Sequence, residues 1–458
     1  MQMAYYDTPS FNRRPEPARK HIAEIQSEMK QLTRSILSIA LPSVAANITA
    51  PLLGLVDMAI VGHMGNAACI GAIALGGTMF SMLYWMFAFL RMGTGGLVAQ
   101  AFGRHDRHGM SAAFSRAVLV AAACGILLIA MSPFLCGRLL RVMAPEEGTA
   151  ILAARYFEIL IWGAPAFLAT YALNGWFVGC QSTQRALWMS IVINVVNIAA
   201  SLVFVYVFGM GIDGVALGTL TAQWAGCIFG MAMACKMDFV KVGFRTLLAA
   251  RELKRFFSLN FDIFLRTLCL VAVTVWFTSA GARQGDMILA ANALLMQFFL
   301  LVSYIMDGVS YAGEALAGSA VGARDYRRLR AVVGGVFRLG TAIGLAFTLI
   351  YFFAGDLLLN LLSDNESVTE TAKEFSWWAV SVPFAGFSAF LWDGIFIGTT
   401  MTRRMLLSMA VSAAVFFATF FALSSVMGNH ALWLAFILYL ASRGILQTVL
   451  WTRWLRQK

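Results

Sequence analysis

"NGWFVGCQSTQR" (174–185) and "DGIFIGTTMTRR" (393–404) share one pattern, Asn/Asp-Gly-x-x-x-Gly-x-x-x-Thr-x-Arg, at a separation of 219 residues. The same offset carries Gly62 onto Gly281, Ala72 onto Ala291, Ala74 onto Ala293, Leu75 onto Leu294, Gly103 onto Gly322 and Asp106 onto Asp325. A constant offset that recurs in distant places marks an internal duplication. The chain therefore reads as two similar halves, and composition decides what they are made of.

Of the 458 residues, 60% are hydrophobic and only 12% are charged, with a mean hydropathy of +0.75. Soluble domains carry about 25% charged residues. Apolar runs of about 20 residues recur along the chain, each long enough to cross a ~30 Å hydrocarbon core as a helix. A membrane barrel would show short alternating segments instead. These features predict an all-α polytopic membrane protein. Polar breaks divide it into 12 transmembrane helices, at 36–62, 69–102, 112–137, 150–180, 186–209, 213–235, 257–281, 286–320, 332–361, 374–398, 404–427 and 429–452. Six spans per half give both halves the same orientation, hence two parallel-repeat six-helix lobes, 33–235 and 257–458. A basic cytoplasmic linker (236–256) joins them, and a polar, basic tail (1–32) with no short apolar core precedes them. Repeated halves with a site within or between them are the construction of secondary transporters.

Orientation follows from Lys and Arg. With the N-terminus inside, inner segments hold 25 of the 34 basic residues and outer loops hold 4, the rest falling within spans. Both termini are thus expected in the cytoplasm, in the bacterial inner (plasma) membrane. The net charge of +11 sits in particular loops, which argues against a nucleic-acid partner. The seven cysteines lie mostly in apolar spans without CxxC spacing and imply neither a metal site nor a disulfide framework. None of the five histidines lies deep in a span, and no HExxH, Walker or GxSxG motif is present. No enzyme constellation, cofactor or metal site is expected.

Charges inside the spans are few. A carboxylate in hydrocarbon costs about 2.5–3.5 kcal/mol on the mild insertion scales, yet Asp57 interrupts "PLLGLVDMAIVGH" (51–63). It is either braced by a neighbouring helix or the outer headgroups, or it is a cation site. A carboxyl group removed from water favours its neutral form, which suits proton uptake and release; with more oxygens around it, it could hold Na⁺. "SIVINVVNIAASLVF" (190–204) offers Asn194, Asn197 and Ser201, the last two four apart and so on one helix face. Interhelical bonding is the alternative role for such residues. Asp393, matched by Asn174 under the offset, is either a substrate-facing or second titrating group or a brace for the Gly394 turn. Asp262 with Arg266, spaced i,i+4, and Arg155 with Glu158 are expected to neutralise each other. Arg91 falls on Ser310 under the offset, between Asp307 and Glu314 in sequence, so a salt bridge between halves could close an inner gate. Pairing within one half is the alternative. The 24 Met, 36 Phe and 12 Trp could form adaptable walls, although in a membrane protein many simply face lipid.

The stretches "LPSVAANITAPLLGLVDMAIVGH", "FLRMGTGGLVAQAFG", "MDGVSYAGEALAGSAVGARD", "LWDGIFIGTT" and "GNHALWLAFILYLASRG" resemble the multidrug and toxic compound extrusion (MATE) family, closest to its DNA-damage-inducible (DinF) branch. The resemblance runs from about 33 to 453. It implies a twelve-helix antiporter, monomeric and surrounded by lipid, that exports small cationic or amphipathic molecules against H⁺ or Na⁺. Under it Asp57 matches the cation-coupling Asp of the first helix, Asn197 the Asn that assists it, and Asp393 a tenth-helix Asp used by some members. Many relatives carry an Asp where Ser201 stands, and one carboxylate makes a poorer Na⁺ cage than two, so protons are the expected coupling ion. Two other transporter readings remain, a major-facilitator protein and a lipid-linked saccharide flippase. "GRHDRHGM" (103–110) only faintly matches the cytoplasmic motif of the first, and the second would be expected to line its cavity with several basic residues. A lipid-modifying enzyme lacks its catalytic residues.

Overall fold

The computed structural model describes residues 16–62, 67–237 and 239–458. The first fifteen residues of the expected tail, and His63 at the end of the stretch around Asp57, lie outside them. In chain order the helices are α1 (Glu16–Gly62), α2 (Ala67–Trp85), α3 (Phe89–Gly103), α4 (Arg107–Ala130), α5 (Ser132–Met143), α6 (Glu147–Leu160), α7 (Ala164–Gly179), α8 (Thr183–Leu202) and α9 (Gly211–Cys235). A short α10 (Phe244–Leu247) lies in the linker. The second half comprises α11 (Ala250–Ala282), α12 (Asp286–Gly322), α13 (Tyr326–Leu362), α14 (Glu366–Gly398), α15 (Thr402–Met427) and α16 (Asn429–Leu455). Among the described residues, eleven segments from Ala68 to Leu455 are long and apolar enough to cross a membrane. The first expected span lies in α1, which begins well before it, at Glu16.

Three expected spans of the first half break into separate helices, and the fifth (186–209) passes from α8 into a π-helical turn, Val203–Val207. The second (69–102) breaks between α2 and α3, where no Pro or Gly marks it. The third (112–137) ends at Ala130, and Pro133 opens α5. The fourth (150–180) passes through a 3-10 turn, Ile161–Gly163, before Pro165 opens α7. Proline fits the first turn of a helix, where its missing N–H costs nothing, and disrupts an interior. The second half builds the equivalents as continuous helices, α12, α13 and α14, even though α14 contains Pro383.

The duplication reappears as geometry. Gly109 N–H donates to Asp106 Oδ1 at 2.7 Å and Arg328 N–H donates to Asp325 Oδ1 at 2.8 Å, so the repeated aspartates cap α4 and α13. Left-handed backbone occurs at His105 and Arg324, and again at Gln181 and Thr400, in both cases 219 residues apart. Packing across the halves is symmetric as well. A Cβ on Gly103 would strike the Ser319 carbonyl, and one on Gly322 would strike the Gln100 carbonyl, these being each other's equivalents. The backbones of α3 and α12 thus close on each other at the end of the molecule that carries the C-terminus. Gln100 Nε2 reinforces the closure, donating to Gly398 O and Thr400 Oγ1, both at 3.1 Å.

Candidate functional site

Asp57 lies on α1, 4% exposed. Its Oδ2 accepts from Thr219 Oγ1 of α9 at 3.1 Å, and Asn197 Nδ2 of α8 donates to the same hydroxyl at 2.9 Å. Thr219 Oγ1 also lies 3.1 Å from the Val215 carbonyl, so its single hydrogen is shared between that carbonyl and the carboxylate while the oxygen accepts from Asn197. Ser201 is fully buried one turn on, held under Gly218, where a Cβ would collide with Ser201 Oγ. Asp57 Oδ1, Asn197 Oδ1 and Ser201 Oγ are buried with no hydrogen-bond partner among the described residues. Asn194 stands apart: its Nδ2 donates to the Thr49 carbonyl at 3.4 Å, about two turns before Asp57 on α1. Thr219 was not among the sequence candidates, because a threonine in an apolar helix carries no signal of its own.

Asp393 belongs to a different place. A cavity of about 420 Å³ lies largely in the second half, its wall including Arg91, Arg266, Asp307, Asp393 and Arg443 among apolar and aromatic side chains. It extends toward the α11–α12 turn at Gly281 and Leu289, away from the end closed by α3 and α12. No described residue of the Asp57 network lines it. Asp393 Oδ2 is paired with both Arg266 and Arg443, and Gln447 Nε2 donates to its Oδ1 at 3.0 Å. Arg266 is therefore not neutralised by Asp262, as the i,i+4 spacing predicts. Thr402 Oγ1 donates to Asp262 instead, at 2.8 Å. A helical pair is worth only about 0.2–0.5 kcal/mol, whereas a buried, uncompensated carboxylate costs several, and Asp393 takes the arginine. Arg155 likewise pairs with Asp213 on α9 rather than with Glu158. Asn174, equivalent to Asp393, is half-buried on α7 and does not line the cavity.

Arg91 Nη1 meets Glu314 Oε2 at 3.1 Å, and its guanidinium lies over the Tyr311 ring, 4.3 Å from the centroid. This ion pair joins the halves, α3 to α12. Glu314 is fully buried, with Oε1 against Gly95, its equivalent under the 219-residue offset, where a Cβ would collide with that oxygen. Asp307, grouped with this pair from the sequence, lines the cavity without a direct ion pair among the described residues.

A helical membrane protein of two repeated halves, with a carboxylate-centred network buried in one and a cavity in the other, is a transporter and not an enzyme. The chain belongs to the MatE family, whose sequence model matches it twice, at residues 42–203 and 261–423. The two matches begin at the repeat offset. The chain is 35% identical over 428 residues, 92% of its own length and 92% of the relative's, to the DNA damage-inducible protein F of Escherichia coli strain K12. It is 23% identical over 447 residues, 95% of this chain and 83% of the other, to the chloroplastic protein DETOXIFICATION 44 of Arabidopsis thaliana. In fold it is similar to the Vibrio cholerae MATE transporter VcmN in its bent form, with a TM-score of 0.86 at 16% identity over 94% of this chain and 98% of that one. An outward-facing multidrug resistance MATE transporter gives 0.83 at 18% identity, covering 93% and 95%.

Proposed function

We propose that the protein is a secondary active efflux antiporter that exports cationic or amphipathic compounds in exchange for H⁺, with Na⁺ as the alternative ion and coupling at Asp57. The observation that carries this reading is the buried Asp57–Thr219–Asn197 chain, with one carboxylate oxygen left unpartnered beside further unpartnered oxygens. Protonation turns an acceptor-only carboxylate into a donor, and Asn197 Oδ1 is a buried acceptor with no donor among the described residues. Ser201 adds a hydroxyl and no second charge, which favours a proton over Na⁺. Lobes bounded at 33–235 and 257–458, with both termini in the cytoplasm, turn the open end of the cavity outward. The Arg91–Glu314 pair then belongs to the closed inner side.

The test is transport of a fluorescent lipophilic cation in proteoliposomes under an imposed pH or Na⁺ gradient, wild type against Asp57→Asn. Export driven by the pH gradient and lost in a folded variant is the expected result. Equal export by the variant would make Asp57 structural. A lipid-linked saccharide flippase is the second reading, favoured by the meeting of Arg91, Arg266 and Arg443 on one cavity. Absence of wild-type export under either gradient, of this cation and of an amphipathic anion alike, would raise it above the first.

A further inference from the structure

Arg266 and Arg443 leave only 6% and 4% of their side chains exposed on the wall of the cavity. Both converge on a single oxygen of Asp393, whose other oxygen is already taken by Gln447. A guanidinium carries five N–H donors and no acceptor, whereas a carboxylate offers only acceptors. The cluster is therefore rich in donors, and Nε of each arginine has no hydrogen-bond partner among the described residues. Arg91 is met directly by Glu314, and Asp307 lines the cavity with no direct ion pair among the described residues. Three arginines and three acids balance over the whole set, but in direct contact Arg266 and Arg443 share the one acid Asp393, and the balancing carboxylate, Asp307, stands elsewhere on the wall.

A cation approaching this cluster finds both Asp393 oxygens engaged and two guanidiniums facing it. An acceptor group finds the reverse. We propose that the cavity takes the carboxylate of an amphipathic monoanion, held by Arg266 and Arg443 at the place where Asp393 bridges them, with the apolar body against Leu270, Phe277, Phe390 and Phe436. Planar guanidinium groups match a carboxylate bidentately. Two arginines against one contacting acid suit a monoanion better than a pyrophosphate, which would bring more negative charge than the cluster offsets. The proposal rests on the efflux reading and narrows its substrates to the amphipathic class, with a negative head.

Equilibrium binding in lipid nanodiscs, with no gradient and with empty discs as baseline, tests it separately from coupling. Two probes share one ring system, pyrenebutyrate and pyrenebutyl-trimethylammonium. The wild type should bind the carboxylate about tenfold tighter or more, and Arg443→Gln should remove that preference, as loss of a charge-assisted pair predicts. The variant leaves Arg266 and Asp393 one to one, so no buried charge is orphaned and the thermal melt should stay close to wild type. Arg266→Gln should behave alike. A wild type that binds the cation as tightly as the anion, or variants that lose both probes equally, would overturn the proposal while leaving efflux intact. Displacement of pyrenebutyrate by farnesyl pyrophosphate at lower concentration than by decanoate would overturn both, since it is the behaviour of a flippase.

Discussion

Thr219 shows how much one hydroxyl decides. Its hydroxyl accepts from the Asn197 amide and lies within hydrogen-bond distance of the Asp57 carboxylate. Thr219→Val keeps the shape and strands both partners in an apolar surround, and each unsatisfied group costs about 1–3 kcal/mol. A lower melting temperature and slower gradient-driven export are expected, with Thr219→Ser restoring both. Export by Thr219→Val at the wild-type rate would show that the link is dispensable. Sequence made Asp57 and Asn197 legible because a lone acid or amide in an apolar run needs a reason. It could not show Thr219, whose residue type is ordinary in such helices. Nor could it show that Asp393 is shared, since its two arginines lie 127 and 50 residues away and meet it only through the fold.

At the scale of helices, the approach of α3 to α12 rests on glycine. Gly322 faces the Gln100 carbonyl and Gly103 faces the Ser319 carbonyl, neither of which can move aside without unwinding its own helix. Gly322→Ala or Gly103→Ala should therefore push the two helices apart, at a cost of about 1–3 kcal/mol for overpacking. Because the contacts are reciprocal, the gap opened by the first Cβ makes room for the second. The double variant should lose clearly less than the sum of the singles, a coupling measurable from thermal melts of all four proteins. Full additivity would mean that the two contacts are separate. Elements were legible where hydrophobic runs and the repeat agreed, as in α8, α9 and the helices of the second half. They were misread where a run concealed a break. Pro133 and Pro165 mark two of those breaks, while the turn between α2 and α3 is set by packing that no local residue announces.

Over the whole molecule, the two halves meet, among the described residues, through one buried ion pair, Arg91 with Glu314, above the glycine contacts that close the end bearing the C-terminus. The duplication was visible from the sequence, and the meeting of α3 with α12 is its structural consequence. Breaking a buried pair by removing one partner costs about 3–5 kcal/mol, mostly because the survivor is left charged and dry, whereas removing both is often neutral. In a protein that alternates between states open to either end, that cost falls only on the state in which the pair is buried. Glu314→Gln or Arg91→Gln alone should thus shift the population toward the state open at the C-terminal end, by the mass action that any differential stabilisation produces. The double substitution should move it part of the way back. Hydrogen exchange of the backbone at 95–103 and 314–322 reads this directly: faster in each single variant than in wild type, and intermediate in the double. Single variants that exchange as slowly as wild type would show that the closed end is held by the glycine packing and the Gln100 hydrogen bonds alone.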